Sequence, residues 1–184
     1  MRKSRMVWMS FVVIVVLAGL LVQTAHAGKF HFNSLSFSLG SMVMQGTLVG
    51  LGNDAGEVTL TAIGTVIAMC ENQGGQQAPG RNPIRINVTQ KEVFVTSSNG
   101  VAPVKVVASD PTFSGFTPSP TPNQAGCPNG NWSVVDFVDN STDWTSANVL
   151  VKDETGAVQI NLNFTCTTTF NNGTAVSLNC KQSG

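Results

Sequence analysis

The sequence predicts an all-β protein, an antiparallel β-sandwich of immunoglobulin-like or similar type with eight to ten strands, stapled by disulfides. Three observations predict this fold. Short segments alternate apolar and polar residues, turn-forming residues separate these segments at regular intervals, and four cysteines lie among them. Alternation with a period of two places one row of side chains in a core and the other in water. Many short strands of this kind are typical of β-sandwiches.

Residues 1–27 predict a signal peptide. Basic residues at positions 2, 3 and 5 precede an apolar run over residues 6–22, and Ala25-His26-Ala27 supplies the small residues that signal peptidase requires. An uncleaved membrane anchor is the alternative, because the run approaches the ~17–25 residues that span a bilayer. Cleavage after Ala27 leaves one secreted domain, residues 28–184, without a membrane span and long enough for a single core.

The same alternation predicts the first strands of the domain. Phe30 and Phe32 alternate with polar residues, and the apolar phase then changes at Leu35, which predicts a β-bulge near Asn33-Ser34. The turn cluster Gly52–Gly56 separates two further strands. The second of these places six side chains on one face: Val58, Leu60, Ala62, Val66, Ala68 and Cys70.

The clearest alternation is near the C-terminus, in "AVQINLNFTC" and "GTAVSLNC". Asn172-Gly173 lies between the two segments and predicts a hairpin, because both residues tolerate positive φ. Between these strands and the first ones, "IRINVTQKEVFVT", "APVKVVAS", "WSVVDFV" and "TSANVLVK" predict the remaining strands. No amphipathic helix is predicted after residue 27.

Two segments predict loops. "CENQGGQQAPGRNP", Cys70 to Pro83, predicts a wide turn whose proline-rich end stops the strand ladder. Ser109–Asn131 has five prolines and predicts a long loop. We expect Phe113 and Phe116 to pin this loop to the domain and Cys127 to tie it covalently.

The cysteines Cys70, Cys127, Cys166 and Cys180 predict two disulfides, since an exported chain folds in an oxidising compartment. Their wide spacing argues against a zinc site. Cys166–Cys180 is the favoured pair because the hairpin brings both sulfurs to one face, and Cys70–Cys127 then follows. A cross-sheet pairing that involves Cys70 remains the alternative.

Three motifs carry a resemblance that covers most of the predicted mature chain: "CENQGGQQAPGRNP", "AGCPNGNW" and the cysteine pair in "FTCTTTF" and "LNC". With them, the chain resembles a group of small exported bacterial proteins. The resemblance implies no activity, and it assigns no role to any residue.

Charge and composition exclude several functions. Removal of Arg2, Lys3 and Arg5 with the signal peptide leaves seven basic and ten acidic residues, so no basic stripe is present for nucleic acid. Charged residues make up 11% of the chain against a typical ~25%, so amides and hydroxyls must provide solubility. His31 alone remains of the histidines, which disfavours a Ser-His-Asp triad. No cofactor-binding motif is present.

Three carboxylates in "DFVDNSTDW" are the metal candidate: Asp136, Asp139 and Asp143. Calcium prefers several hard oxygens on a turn, although these residues lack the order of an EF-hand loop. The same three acids are also the candidate catalytic group of an extracellular hydrolase. A solvated turn is the simpler interpretation.

Two surfaces are candidates for binding. Trp132 and Trp144 are candidates for a sugar-stacking platform of a carbohydrate-binding module, or for ordinary core and edge packing. The joined rim of the two loops is the other candidate, through amide hydrogen bonds: Asn72, Gly74, Gly75, Pro79, Asn82, Asn129 and Trp132.

Together these patterns predict a secreted or surface-associated, non-enzymatic protein with a structural or binding role. Its expected partner is a protein or glycan outside the cell.

Overall fold

The structure is a computed structural model that describes residues 30–39, 41–52 and 54–183. The predicted signal peptide lies outside the described residues. The described residues contain nine strands: β1 (His31–Ser38), β2 (Met42–Val49), β3 (Ala55–Asn72), β4 (Gln77–Val95), β5 (Val101–Ala108), β6 (Trp132–Phe137), β7 (Asp143–Asp153), β8 (Val158–Asn171) and β9 (Thr174–Gln182). The helices are a 3-10 turn, Phe113–Gly115, and α1, Pro122–Ala125. The all-β fold and the strand number are as the sequence predicts. Among the described residues, no helix is long and apolar enough to cross a membrane.

The strands form two antiparallel sheets. One has the order β1-β2-β5, and the other has the order β4-β3-β7-β8-β9. The sixth strand of the larger sheet, β6, pairs with β3 beyond the end of β7. β3 is therefore the centre of this sheet, because it pairs with β4 on one side and with β7 and β6 in succession on the other.

The core lies between the two sheets. β3 alternates buried and half-buried residues along its length, and all six side chains that the sequence assigns to its inward face are buried. Phe37 of β1 meets Phe164 of β8 with ring centroids 4.8 Å apart, which joins the two sheets at one side. Trp144 is the largest fully buried side chain.

The bulge that the sequence predicts in β1 is present. The register with β2 shifts between Phe32 and Ser34, so the inward phase passes from Phe32 to Leu35. Gly46 of β2 lies beneath this bulge, and a Cβ there would stand 2.7 Å from the carbonyl oxygen of Ser34. The absence of a side chain at Gly46 lets the bulged strand approach β2.

The prediction of a wide turn from Cys70 to Pro83 is wrong. Only Gln73–Gln76 connects the strands, and β4 already begins at Gln77. Pro79 and Pro83 lie opposite Met69 and Ile67, within the ladder. In the described part of the chain β4 is an edge strand, where a missing N–H group costs no ladder bond.

Both disulfides are the favoured ones. Cys70–Cys127 ties the end of β3 to the proline-rich loop, and Cys166–Cys180 joins directly opposite positions of β8 and β9. Two disulfides indicate an oxidising, extracellular environment.

The proline-rich loop is pinned by aromatic contacts, as expected. The rings of Phe113 and Phe116 meet Phe137 edge-on, with centroids 5.8 and 5.4 Å apart. A capping box between Thr121 and Gln124 begins α1.

Candidate binding surfaces

The rim residues come together only in part. Trp132 lies at the start of β6, directly opposite Asn72. The backbone N–H of Trp132 donates to the carbonyl oxygen of Asn129 at 3.2 Å. Gly74 and Gly75 form the tip of the turn between β3 and β4. These five residues therefore share one end of the sandwich.

The amides at this end mainly hold the turns. The Asn72 Oδ1 accepts from the N–H groups of Gly74 and Gln76 at 2.9 and 3.0 Å, and its Nδ2 donates to the Gln76 side chain. The Asn129 Oδ1 accepts from the N–H of Asn131 at 3.0 Å. Because these groups already have partners, the rim offers fewer free amides than the sequence suggests.

The remaining rim residues lie in β4. Pro79 pairs with Met69, and Asn82 lies in a bulge, residues 80–82, opposite Ala68. The Asn82 Nδ2 donates to the carbonyl oxygen of Asn123 at 3.4 Å.

This bulge docks the proline-rich loop. The N–H of Arg81 donates to the carbonyl oxygen of Gly126 at 3.2 Å. A Cβ at Gly80 would overlap the carbonyl oxygen of Ala125, so only glycine permits this approach. The bulge therefore serves to hold the proline-rich loop.

The two indole rings do not form a joint platform. Trp144 points inward from β7, opposite Gly64, and is 0% exposed, so it cannot stack on a sugar. Its Nε1 is buried and has no hydrogen-bond partner among the described residues. Trp132 is half-buried and alone at the rim. Of the two roles that the sequence suggests for Trp144, core packing is therefore the one it has, and a platform of both rings is excluded.

The three acids are not brought together as a ligand set. Asp136 in β6 and Asp143 in β7 lie opposite Met69 and Thr65 of β3, four residues apart. This spacing corresponds to about 13 Å along the strand, whereas paired glycosidase carboxylates are ~5–9.5 Å apart. Within the described ranges, no three Asp, Glu, His or Cys side chains are placed to hold a metal ion.

A different polar surface stands on the outer face of the larger sheet. Thr165, Thr167 and Thr169 point outward from β8, opposite Lys181, Asn179 and Ser177 of β9, and all six are exposed. A shallow groove of about 350 Å³ runs between these strands. We call it the β8–β9 groove, lined by Thr165, Thr167, Thr169, Asn179 and Lys181.

Part of this outer face is ordered by its own hydrogen bonds. The Asn148 Nδ2 donates to Asn161 Oδ1 at 2.7 Å and to Asn163 Oδ1 at 2.8 Å, which ties β7 to β8. The hydroxyl groups of Thr165 and Ser183 are 2.9 Å apart. These bonds hold the backbone and side chains next to the groove in a fixed arrangement.

Within the described residues, other polar side chains of the groove lack such bonds. In the part of the chain that the structure describes, the side chains of Thr167, Thr169 and Asn179 make no hydrogen bond to the protein. A hydroxyl both donates and accepts, and an amide offers two donors and an acceptor. The groove therefore presents a row of unpaired polar groups on a rigid sheet.

Charge is sparse around these groups. Among the described residues that line the groove, Lys181 is the one that carries a charge. Elsewhere on this face Lys91 and Glu57 form an ion pair at 2.8 Å, and the hydrogen bond from Lys91 lowers the pKa of Glu57. At the turn after β7, a hydrogen bond from the Thr155 hydroxyl lowers the pKa of Asp153.

In the sequence, the groove corresponds to the polar positions of the alternating pattern of β8, which predict only a solvent-exposed face. Sequence alone does not tell which outward residues find partners.

No family model, no curated protein and no solved structure matches this chain. The resemblance to small exported bacterial proteins therefore stays a prediction.

Proposed function

We propose that the chain is an exported, non-enzymatic adhesion module that binds neutral, hydroxyl-rich polysaccharides outside the cell through the β8–β9 groove. The observation that carries this proposal is the row of exposed polar side chains at Thr167, Thr169 and Asn179, which make no hydrogen bond to the described part of the chain. This proposal keeps the carbohydrate partner that the sequence suggests and moves it from the tryptophans to the outer sheet face.

The spacing of the row suits a repeating ligand. Alternate residues of a strand lie ~6.8 Å apart, and neighbouring strands lie ~4.8 Å apart, so the groove presents donors and acceptors at regular intervals. Threonine adds a methyl group beside each hydroxyl, and a sugar ring likewise carries C–H and O–H groups. Both kinds of group on the ligand therefore find a complementary one on the protein.

The sparse charge favours a neutral polymer. Lys181 is the one charged residue among the described residues of the lining, so the groove offers little to a polyanion. Exposed ion pairs weaken as salt screens them, whereas hydrogen bonds between neutral groups depend little on salt. We therefore expect binding to persist at high ionic strength.

The proposed place of action is the cell surface or its surroundings. Two disulfides support an oxidising environment, and residues 1–27 support export by a signal peptide. Mass spectrometry of the exported protein tests this part of the proposal: a chain that begins at Gly28 supports it, and a chain that retains Met1 contradicts it.

Binding is tested by affinity electrophoresis in gels that contain soluble neutral glucans, mannans or xylans. The test variant is Thr167→Val/Thr169→Val, which removes two hydroxyls and keeps the β-branched shape. A net value of ~0.5–1.5 kcal/mol for each hydrogen bond predicts binding that is about 5- to 150-fold weaker.

Thr47→Val is the matched control, because Thr47 lies on the smaller sheet, in β2. It should bind as the unsubstituted protein does. Migration that none of the polymers retards, or equal retardation of all three proteins, would contradict the proposal.

A further inference from the structure

The outer strand β9 leaves one side of the larger sheet open. β9 is the last strand in the order of this sheet, so among the described residues it pairs with β8 alone. In β3 every second residue is buried, whereas β9 has no buried residue along its length. An edge strand of this kind presents N–H and C=O groups that can pair with another strand.

The ladder between β8 and β9 shows which backbone groups of β9 point outward. The N–H of Ser183 donates to the carbonyl oxygen of Asn163 at 2.8 Å, which marks a hydrogen-bonded pair. Such pairs alternate with non-hydrogen-bonded ones, so Cys166 and Cys180, three positions along both strands, form a non-hydrogen-bonded pair. Their Cα atoms are 4.0 Å apart, in agreement with the close approach of strands at such pairs.

Three residues of β9 therefore direct their backbone N–H and C=O groups away from β8: Leu178, Cys180 and Gln182. In the described part of the chain, no group outside the hairpin bonds to them. Towards the hairpin turn the edge is covered, because the N–H of Ala175 donates to the carbonyl oxygen of Asn140 at 2.9 Å. The edge is thus open along the C-terminal half of β9.

β9 also lacks the features that protect an edge from pairing. Prolines, charged side chains and bulges keep natural edge strands apart. β4 contains Pro79 and Pro83, β5 contains Pro103, and β1 is interrupted by its bulge. β9 contains no proline, keeps a regular register over 177–182, and has Lys181 as its one charged residue. Of the edges that the structure describes, β9 is therefore the one best suited to accept a further strand.

We propose that β9 pairs with β9 of a second copy of this chain, antiparallel and about a two-fold axis at Cys180. In this register Cys180 lies opposite Cys180 of the second copy, and Leu178 lies opposite its Gln182. All three outward-pointing residues of each strand are then in hydrogen-bonded pairs. A two-fold interface uses the same surface on both copies, so one open edge is sufficient.

Charge and register favour a second copy centred at this residue. Lys181 lies opposite Asn179 of the second copy, so no like charges are opposed. A register centred on Lys181 would place the two lysines opposite each other, which is destabilising. A register centred on Asn179 would set Gln182 opposite Val176, where the bulge interrupts β9. The edge therefore matches itself in hydrogen bonding and in charge.

Pairing through β9 also joins the two β8–β9 grooves. The two-fold axis is perpendicular to the sheet, so the outer faces of both copies point to the same side. One polar surface then extends across β8 and β9 of both copies, and a repeating polymer that reaches both grooves binds with higher avidity. This consequence rests on the proposed function, whereas dimer formation does not.

Sedimentation velocity of the pure protein, without polysaccharide, tests the pairing. Interfaces that bury less than ~1,200 Å² belong to weak complexes, so we expect a monomer–dimer equilibrium between about 10 µM and about 1 mM. Amide exchange then locates the interface. The N–H groups of Leu178, Cys180 and Gln182 should exchange quickly at low protein concentration and become protected as the dimer forms. Those of Asn179 and Lys181, which point towards β8, should be protected at every concentration.

A substitution at Gln182 tests the outward N–H group itself. Gln182→Pro removes this group and leaves the ladder with β8 intact, because Gln182 is at a non-hydrogen-bonded position. Gln182→Ala is the matched control, since it shortens the same side chain and keeps the N–H. Two hydrogen bonds are lost per dimer, so Gln182→Pro should dimerise about 5- to 150-fold more weakly. Gln182→Ala should dimerise as the unsubstituted protein does.

A charge at position 179 tests the register. Asn179→Asp places a carboxylate opposite Lys181 of the second copy in both halves of the dimer. Exposed ion pairs are weak, so this variant should dimerise about 2- to 30-fold more tightly at low salt. The gain should disappear at high salt, because salt screens exposed charges.

Three results would overturn the proposal. The first is a protein that stays monomeric over the whole concentration range. The second is a dimer in which the N–H groups of Leu178, Cys180 and Gln182 stay unprotected; because exchange uses the unsubstituted protein, it decides the question even if a variant fails to fold. The third is equal dimerisation of Gln182→Pro and Gln182→Ala, or of Asn179→Asp and the unsubstituted protein at low salt. A protein that dimerises but binds no polysaccharide would contradict the proposed function alone.

Discussion

The disulfide between Cys70 and Cys127 gives the sharpest test of how the proline-rich loop is held. The bridge closes a sequence separation of 57 residues, and Cys166–Cys180 closes one of 14. Loop-closure entropy assigns about 4 kcal/mol to the first bridge and about 3 kcal/mol to the second. Replacing both cysteines of a bridge by alanine should therefore lower the free energy of unfolding by these amounts.

The two double variants are matched controls for each other. Each removes one buried sulfur, at Cys70 or Cys166, so the loss of packing largely cancels in the comparison. The remaining difference depends on the logarithm of the loop lengths and amounts to about 1.2 kcal/mol. Urea denaturation followed by tryptophan fluorescence measures both values.

We also expect the proline-rich loop to stay docked without its disulfide. The ring contacts to Phe137 and the hydrogen bond from Arg81 to Gly126 do not need the disulfide. Amide exchange in Cys70→Ala/Cys127→Ala should therefore still protect the Arg81 N–H. An equal or larger loss of stability in Cys166→Ala/Cys180→Ala would refute the entropic argument, and rapid exchange at Arg81 in an otherwise folded protein would refute the docking argument.

Three further predictions concern single side chains. Gly80→Ala should lower the free energy of unfolding in urea by roughly 1–3 kcal/mol, because the new Cβ meets the Ala125 backbone. Gly130→Ala, where a Cβ meets open space, should lower it by under about 1 kcal/mol. Equal losses would contradict the close contact at Gly80. Trp144→Ala should lower the free energy of unfolding by about 3–5 kcal/mol. Trp144→Phe should lower it clearly less, since phenylalanine keeps most of the packing and removes the Nε1 that has no partner among the described residues. Equal losses in the two variants would contradict this expectation. Asp110→Asn should be more stable than the unsubstituted protein, by an amount that grows as the pH rises from below about 3.9 through the raised pKa of Asp110. The reason is that burial disfavours the charged carboxylate, which forms over this pH range. A pH-independent difference in thermal unfolding would contradict this prediction.

Several elements follow directly from local pattern. The bulge in β1 is predictable because the inward phase changes between Phe32 and Leu35, and a strand can shift phase only by an extra residue. The pair Cys166–Cys180 is predictable because one hairpin turn fixes the register of both strands. In these cases a few neighbouring residues contain all the information.

The prediction of a wide turn from Cys70 to Pro83 fails for an identifiable reason. Prolines disrupt a central strand, and Pro79 and Pro83 therefore suggested a loop. Their actual strand, β4, lies at the edge of the sheet in the described part of the chain, where proline is tolerated. The position of a strand within a sheet depends on distant pairing, which local sequence does not contain.

The candidate sites depend on tertiary contacts as well. A tryptophan such as Trp144 can either stack on a sugar at the surface or fill a core. Only the packing of β7 against the core shows that Trp144 is buried. Asp110 is an ordinary loop aspartate in the sequence, and its desolvation arises from the packing around it. The Thr165 hydroxyl lies 2.9 Å from that of Ser183, whereas the hydroxyls of Thr167 and Thr169 make no hydrogen bond to the described part of the chain.

NMR shift mapping most directly tests our proposal that the β8–β9 groove binds a neutral glycan. The ¹⁵N-labelled protein is titrated with an oligosaccharide of the polymer that retards it in the gel. We expect shifts concentrated at Thr165, Thr167, Thr169, Asn179 and Lys181, with little change at Asn72 and Trp132. Shifts concentrated at the rim around Trp132, with the β8–β9 groove unaffected, would contradict it.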